Sequence, residues 1–378
     1  MAGWIIRSAR GKIMSSDQNE STTTMIWEKV LQMGEVNLPG ARWGHTCNAV
    51  SGGRRVYVLG GYGQSFSRTD RVDIFFTEYL CWRVAMMRGN PPAPRHSHSC
   101  TTVGDRLFVF GGTDGTKPLN DLHILDTASR SWILPSVSGD VPEPREGHSA
   151  VLIDKRIFIY GGCGRFENGD VYYNDLHTLD TETFQWKNVV TDGTPPSKRE
   201  GQSCISWRHN IIVVGGEDSS SSSSPDVHRI HVDNKVWYKM HCTGEILPPR
   251  GGHTAIGLGD NLLVFGGVSE ESKLYNDVYK LEIGNGTWTK ITTIGECPSG
   301  RFFMAGDCLD PQRGVLVYIG GCSENLEALN DVYFLHTEPY RGSLAGQESL
   351  KLQSVVQNIL IPANSKLKSL VQNSEPTP

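Results

Sequence analysis

The chain has 378 residues, 38% hydrophobic and 20% charged, which is enough apolar material to bury a real core and argues against wholesale disorder. A formal net charge of −5 gives no reason to expect nucleic acid or an anionic membrane as the main partner. No segment reaches the ~18 consecutive apolar residues that a membrane span needs. Glycine, at 42 residues, exceeds the usual ~7% and points to many tight turns or close backbone contacts. The nine cysteines are odd in number and include no Cys-x-x-Cys pair, so they read as free thiols in a reducing compartment.

In chain order, residues 1–24 read as a flexible leader. The opening MAGWIIRSARGKIMSS carries Arg7, Arg10 and Lys12 and no acid, as organelle presequences do. Its apolar patch of Trp4, Ile5 and Ile6 is too short for a secretory signal.

From residue 25 to about 340 the chain repeats itself. Glycine pairs end apolar runs at 60–61, 111–112, 161–162, 215–216, 266–267 and 320–321, so successive first glycines stand 51, 50, 54, 51 and 54 residues apart. An arginine precedes each pair (Arg42, Arg95, Arg145, Arg199, Arg250, Arg301), by 18, 16, 16, 16, 16 and 19 residues. A tryptophan precedes each arginine (Trp27, Trp82, Trp132, Trp186, Trp237, Trp288), by 15 residues and then by 13 each time. Within one unit the pattern predicts four short strands. In the third, 147–153 is small and β-prone, 156–162 is apolar and stopped by glycines, 175–180 alternates, and 184–190 is aromatic and β-branched. Four antiparallel strands about every 50 residues predict an all-β propeller, here of six blades. No tryptophan follows the last predicted strand, at 331–336, whereas Trp27 has no glycine pair before it. The N-terminal strand around Trp27 is therefore expected to complete the last blade and close the ring, pairing edges that would otherwise be open.

The chain resembles the kelch-repeat family. The matching pieces are Arg-x-Gly-His at 42–45, 145–148 and 250–253, the double glycines, Asn-Asp at 120–121, 174–175, 276–277 and 330–331, and the spaced tryptophans. The match covers about residues 25–340 and is specific for fold but not for function. Within the family the chain is similar to stand-alone kelch proteins such as the Rab9 effector with kelch motifs, through run-ins such as Gly89–Arg95 and Gly244–Arg250.

Strand direction places the loop leading to each arginine and the loop after each glycine pair on one face. That face is expected to carry Arg42, Arg95, Arg145, Arg199, Arg250 and Arg301, with Tyr62, Thr113 and Glu217 among the residues that follow the glycines. In kelch relatives the equivalent positions line the ligand-binding mouth, so the resemblance implies partner binding there. The competing reading is that each arginine bridges to neighbouring acids such as Glu146, Glu200, Asp170 and Glu217 and holds loops. The tryptophans are expected to fill the wedges between blades. The Asn-Asp pairs are expected to make turn bonds. His45, His98, His148 and His253 recur at the inner strand, where a hydrogen-bonding role is expected rather than a metal site.

Two flanking features remain. Ser219–Ser224, on the predicted binding face, is expected to be a disordered loop whose phosphorylation would add negative charge beside the arginine ring. Residues 341–378 form a tail in which Leu350, Leu352, Val355, Val356, Ile359 and Leu360 have helical spacing, so that it is either a short amphipathic helix or disordered. An enzymatic alternative comes from kelch-type specifier proteins, which act with iron on glucosinolate breakdown products. The nearest motif here, Glu327, Asp331 and His336, has its second spacing one residue too long, and positions 331 and 336 point to opposite sides of a strand.

The reading of the sequence is a monomeric, non-catalytic interaction module without a cofactor, cytoplasmic or nuclear. It would act as a scaffold or adaptor and bind a partner protein at the arginine-lined mouth, with a small GTPase or a ubiquitin-ligase component among the candidates.

Overall fold

The computed structural model describes residues 24–32, 39–63, 68–220 and 222–338. The third unit shows how the strands arise. Ser149–Ile153 and Arg156–Tyr160 pair antiparallel across a turn in which Asp154 takes φ 56°. Leu176–Asp180 pairs with Arg156–Tyr160, and Gln185–Asn188 pairs with Leu176–Asp180. These bounds fall within two residues of the sequence expectation. The second strand reads as a continuous apolar run because Ile157, Phe158, Ile159 and Tyr160 are all buried, its two faces being covered by the neighbouring sheets.

Among the described residues this pairing recurs in six antiparallel four-stranded units. Their inner strands are Thr46–Val50, Ser99–Val103, Ser149–Ile153, Ser203–Trp207, Thr254–Leu258 and Ala305–Asp310. Each lies against the next, and the last lies against the first. The fold is a β-propeller, with its core in the wedges between sheets. The tryptophans occupy those wedges as expected: Trp186 packs on Phe110 of the preceding unit and Trp237 on Tyr160, with ring centroids 4.9 and 5.2 Å apart.

The last unit has three strands of its own, ending in Ala328–His336. The N-terminal strand Thr24–Lys29 supplies the fourth, antiparallel, with Trp27 opposite Leu335. It also pairs parallel with the end of Thr287–Gly295, Trp27 facing Gly295. That second contact repeats elsewhere, since Gly139 faces Trp186, Gly193 faces Trp237 and Gly244 faces Trp288 in parallel register. Residues 24–29 thus take the place that a fourth strand has in the other units. The closure expected from the unmatched Trp27 is the one seen.

The glycine pairs answer a steric demand between sheets. A Cβ on Gly60 would stand 2.6 Å from the Arg95 carbonyl and 2.6 Å from His98 Cε1 in the next unit; one on Gly61 would stand 2.9 Å from His45 Cβ in its own unit. The recurring histidine is therefore an inter-sheet packing group. His148 Nε2 also lies 2.8 Å from Ser99 Oγ, and His98 Nε2 lies 3.3 Å from Thr46 Oγ1, both across a unit boundary.

All nine cysteines are free thiols. No helix among the described residues is long and apolar enough to cross a membrane. The leader over residues 1–23 and the helical pattern over 350–360 lie outside the described residues.

Candidate functional site

The six repeated arginines do reach one face, but their guanidinium groups point inward. None is more than 5% exposed. Arg145 shows the arrangement. Its Nε donates to the Glu143 carbonyl, its Nη1 to the Gly161 carbonyl at 3.0 Å, and its two Nη groups to Asp175 at 2.7 and 2.9 Å. Arg95 holds Asp121 and Arg301 holds Asp331 in the same two-pronged way, Arg250 holds Asp277 through Nη1 alone at 2.8 Å, and Arg42 takes Asp73 through Nη2. Unit four lacks the Asn-Asp pair, and there Arg199 bonds to the Gly215 carbonyl and Ser197 Oγ instead.

This corrects the expectation of an arginine-lined mouth. Each arginine ties the run-in of its unit to the first glycine, and all but Arg199 also reach the start of the third strand, so most of their donors are used within the unit. The Asp of each Asn-Asp pair is the arginine's counter-ion rather than a turn residue. The acids expected as partners, Glu146 and Glu200 among them, are not. Burial pushes Asp175 up, but hydrogen bonds from Arg145 and His177 outweigh it and hold the carboxyl below the usual range. Arg145→Ala would leave Asp175 without its buried counter-ion and the Gly161 carbonyl without a donor. Chemical denaturation should show a loss of about 3–5 kcal/mol, whereas a change below ~1 kcal/mol would mean that the pair behaves as a surface salt bridge.

What faces the mouth is the residue after each arginine. Trp43, His96, Glu146, Glu200, Gly251 and Phe302 pair through their backbones with Tyr62, Thr113, Cys163, Glu217, Val268 and Cys322, the residues after the glycine pairs. The shared face expected from strand direction is therefore present. One residue further on, the backbones form a closed ring. Gly44 N–H donates to Phe303 O, Ser97 to Gly44, Gly147 to Ser97, Gly201 to Gly147, Gly252 to Gly201, and Phe303 to Gly252, at 2.7–3.0 Å. Ser97 and Phe303 hold φ of 54° and 49° to take part. The ring narrows the axis and floors the mouth.

Above it lies a cavity of about 340 Å³ lined by Trp43, Arg68, His96, Thr113, Glu146, Arg165, Glu200 and Phe303, together with Ser97 and the loop residues Gly115, Thr116 and Lys117. Its walls differ in chemistry. On one side Trp43 stacks on Phe303 with centroids 5.7 Å apart, and Tyr62 and His96 pack beside them. Arg68 lies over the Tyr62 ring and donates from Nε to His96 Nδ1 at 3.2 Å, and no carboxylate among the described residues is within ion-pair distance of it. A Cβ on Gly115 would overlap its guanidinium, so that glycine makes the room it occupies. Burial, and then the charges of Arg68 and Arg165, hold His96 down to about 4, hence neutral.

On the other side Arg165 donates to Glu200 at 2.6 Å and stands 3.6 Å from Glu146. It comes from a hairpin found in the third unit, Cys163–Phe166 with Gly169–Tyr172. The buried Cys163 thiol donates to Glu200 Oε2 at 2.9 Å. Burial raises Glu146 to about 7 against the opposing pull of Arg165, and burial together with Glu200 also raises Glu217.

Of the expected site residues, Tyr62, Thr113 and Glu217 are on this face. Tyr62 packs on Trp43, and Glu217 lies over Gly251. Thr113 is buried, its hydroxyl donating to the Lys117 carbonyl and accepting from Gly115 N–H. Sequence reasoning missed Arg68, Arg165, Trp43 and Phe303. Of these, Trp43 had a visible signal: it fills the one unspecified position of the Arg-x-Gly-His motif.

Glu327, Asp331 and His336 do not converge, since Asp331 holds Arg301 while His336 reaches Glu28 of the N-terminal strand at 2.9 Å. Among the described residues no group of three His, Cys, Asp or Glu side chains is placed to hold a metal ion. The serine loop adjoins the acidic side. Asp218 Oδ1 accepts from Ser220 N–H and Ser222 N–H, which shapes the described part into a turn. Its flanking side chains are Glu217 and Asp218, so the expected tuning of an adjacent arginine ring has no exposed arginines of that ring to act on.

The family model described as the KLHDC2/KLHL20/DRC7 Kelch-repeats domain matches residues 18–216 and 201–348. Kelch domain-containing protein 3 of Mus musculus is 32% identical over 304 residues, covering 74% of this chain and 78% of that protein. Kelch domain-containing protein 1 of Homo sapiens is 24% identical over 348 residues, covering 88% and 76%. Acyl-CoA-binding domain-containing protein 5 of Arabidopsis thaliana is 27% identical over 241 residues, or 60% of this chain, and this chain spans only about a third (36%) of that protein's length.

Proposed function

The chain belongs to the kelch-repeat family, whose propellers are generally protein-interaction modules, and from that premise we propose that it is a non-catalytic adaptor that binds a partner segment in the mouth cavity. A carboxylate of the partner meets Arg68, with Lys117 beside it. One observation carries this reading: Arg68 is held at the cavity wall by Tyr62, His96 and the space over Gly115, with no carboxylate within ion-pair distance among the described residues. A guanidinium so placed is pre-organised for an anionic group and needs no side-chain rearrangement to meet it. The aromatic side of the cavity, Trp43 and Phe303, supplies the apolar area that anchors recognition.

Panning a random peptide library against the purified full chain tests the reading. Enriched peptides should carry Asp, Glu or a free carboxylate. Their affinity should fall about tenfold or more, which is ~1.4 kcal/mol or more, in Arg68→Ala, with an unchanged melting temperature. Equal affinity for wild type and variant, or no enrichment at all, would remove the proposal.

A further inference from the structure

We propose that the face opposite the mouth carries an anion site between units one and two, formed by Arg55, Arg83 and Arg130 and suited to a phosphate monoester. It is separate from the mouth and stands whether or not the mouth binds a peptide.

Chain direction brings the three arginines together. Each second strand ends on the mouth face at its glycine pair, so Arg55, the first residue of Arg55–Leu59, lies at the far end. Arg83 is near the start of Cys81–Val84, and Arg130 is in the turn between Leu122–Asp126 and Ser131–Ile133, both at that same end. Arg55 stands opposite Phe76, Tyr57 opposite Ile74, and Ile74 opposite Arg83, so these residues share one side of the first sheet. That side packs on unit two, where Tyr57 and Ile74 join Leu107, Leu125 and Trp132. The guanidinium carbons of Arg55 and Arg83 lie 5.9 and 5.4 Å from the centre of the Phe76 ring, which holds both in place. Arg130 reaches the same edge from unit two, since its carbonyl accepts from the N–H of Arg88, in the segment that follows Arg83, at 2.9 Å.

Two independent observations point to a ligand. First, all three arginines are exposed, and among the described residues no carboxylate is within ion-pair distance of any of them. Asp126, beside the same turn, is taken by Arg106 and by Ser129 N–H. Second, Tyr57 is 0% exposed, yet its hydroxyl has no hydrogen-bond partner among the described residues. The charges of Arg55 and Arg130 both act on it, which places it next to them. A buried hydroxyl left without a partner is costly, and an anion seated between the guanidinium groups would accept from it. One guanidinium can satisfy both oxygens of a carboxylate. A phosphate monoester carries about −1.5 to −2 charge and three acceptor oxygens, which matches donors that converge from separate strands and two units.

Phosphorus NMR on the full chain tests this, with a blocked Gly-Ser peptide that carries one phosphoserine. Its signal should broaden and saturate. Affinity should fall about tenfold in Arg55→Ala and in Arg83→Ala with unchanged melting temperatures, and should fall also in Tyr57→Phe, which keeps the packed ring. Arg68→Ala, at the mouth, should bind as wild type does. Displacement by an equal concentration of inorganic phosphate would assign the free ion to this site, and the need for a clear excess would assign a phosphorylated chain. The proposal would be overturned by no broadening in wild type, by equal competition from the same peptide with Glu in place of phosphoserine, or by binding that survives Arg55→Ala and Arg83→Ala together. Loss of binding in Arg68→Ala would overturn it too, by moving the phosphate to the mouth.

Discussion

Thermal stability should fall steeply as the pH drops below about 6.5. The cause is the repeated histidine. His45, His148 and His253 are buried between sheets, and that burial, followed by the charge of the arginine three residues earlier, holds each down to about 3. His98 is likewise held well below its usual value. The folded chain therefore keeps these rings neutral, whereas the unfolded chain protonates them near pH 6.5. With a depressed folded value, stability is complete above the unfolded value and is lost on the way down towards the folded one. Each ring removes about 1.4 kcal/mol per pH unit in that window, or roughly 2 kcal/mol by pH 5. Two buried carboxyls work the other way: Glu146, raised to about 7, and Asp307, raised to about 6 by burial. Each loses stability as the pH rises through its folded value, so each returns some on acidification. Two such groups offset only part of what four histidines lose. Nature supplies the control variant in unit four, where Gln202 occupies the same place and donates to the Tyr160 carbonyl at 3.0 Å. His148→Gln and His253→Gln should each flatten the pH dependence by about one proton without unfolding the chain. A melting temperature constant from pH 7.5 to 5 would refute the account.

The second large effect should come from the N-terminal strand. Met25 and Trp27 are each 2% exposed, and the Trp27 ring sits 4.9 Å from Phe265 and 5.2 Å from Tyr318, between the fifth and sixth units. Trp27→Ala removes that wedge and should cost about 3–5 kcal/mol. At roughly 2–4 °C per kcal/mol for a domain of this size, the melting temperature should drop by about 10 °C. Deleting residues 24–29 should lower it further, because it also leaves the edges of Thr287–Gly295 and Ala328–His336 unpaired. A synthetic peptide spanning 24–32, added to the deletion variant, should restore part of the loss. An unchanged melt after deletion would show that the ring holds without this strand.

Much of this is legible in the sequence. The glycine, arginine and tryptophan register marked the strands to within two residues in the third unit, and the unmatched Trp27 marked the closure. The common face of the arginine loops and post-glycine loops followed from strand direction alone. The arginine side chains were misjudged because a periodic charge near a mouth looks the same in sequence whether it points out or in. Their inward course depends on the glycine carbonyl and on an aspartate some 26 to 31 residues ahead. The signal for the real lining was the variation inside Arg-x-Gly-His, where Trp43, Glu146 and Gly251 differ while their neighbours repeat.

Repetition by itself determined the propeller, its order and its closure, because each unit must bury the same faces against the next and so needs the same residues at the same spacing. Only the tertiary structure decided what the mouth is made of. Arg68 and Arg165 lie in loops that break the repeat, and their neighbours Gly115 and Glu200 belong to other units. Such contacts join loops of neighbouring units, at positions where the units differ from one another. No local period encodes them, so the chemistry of the opening becomes visible when the sheets are assembled.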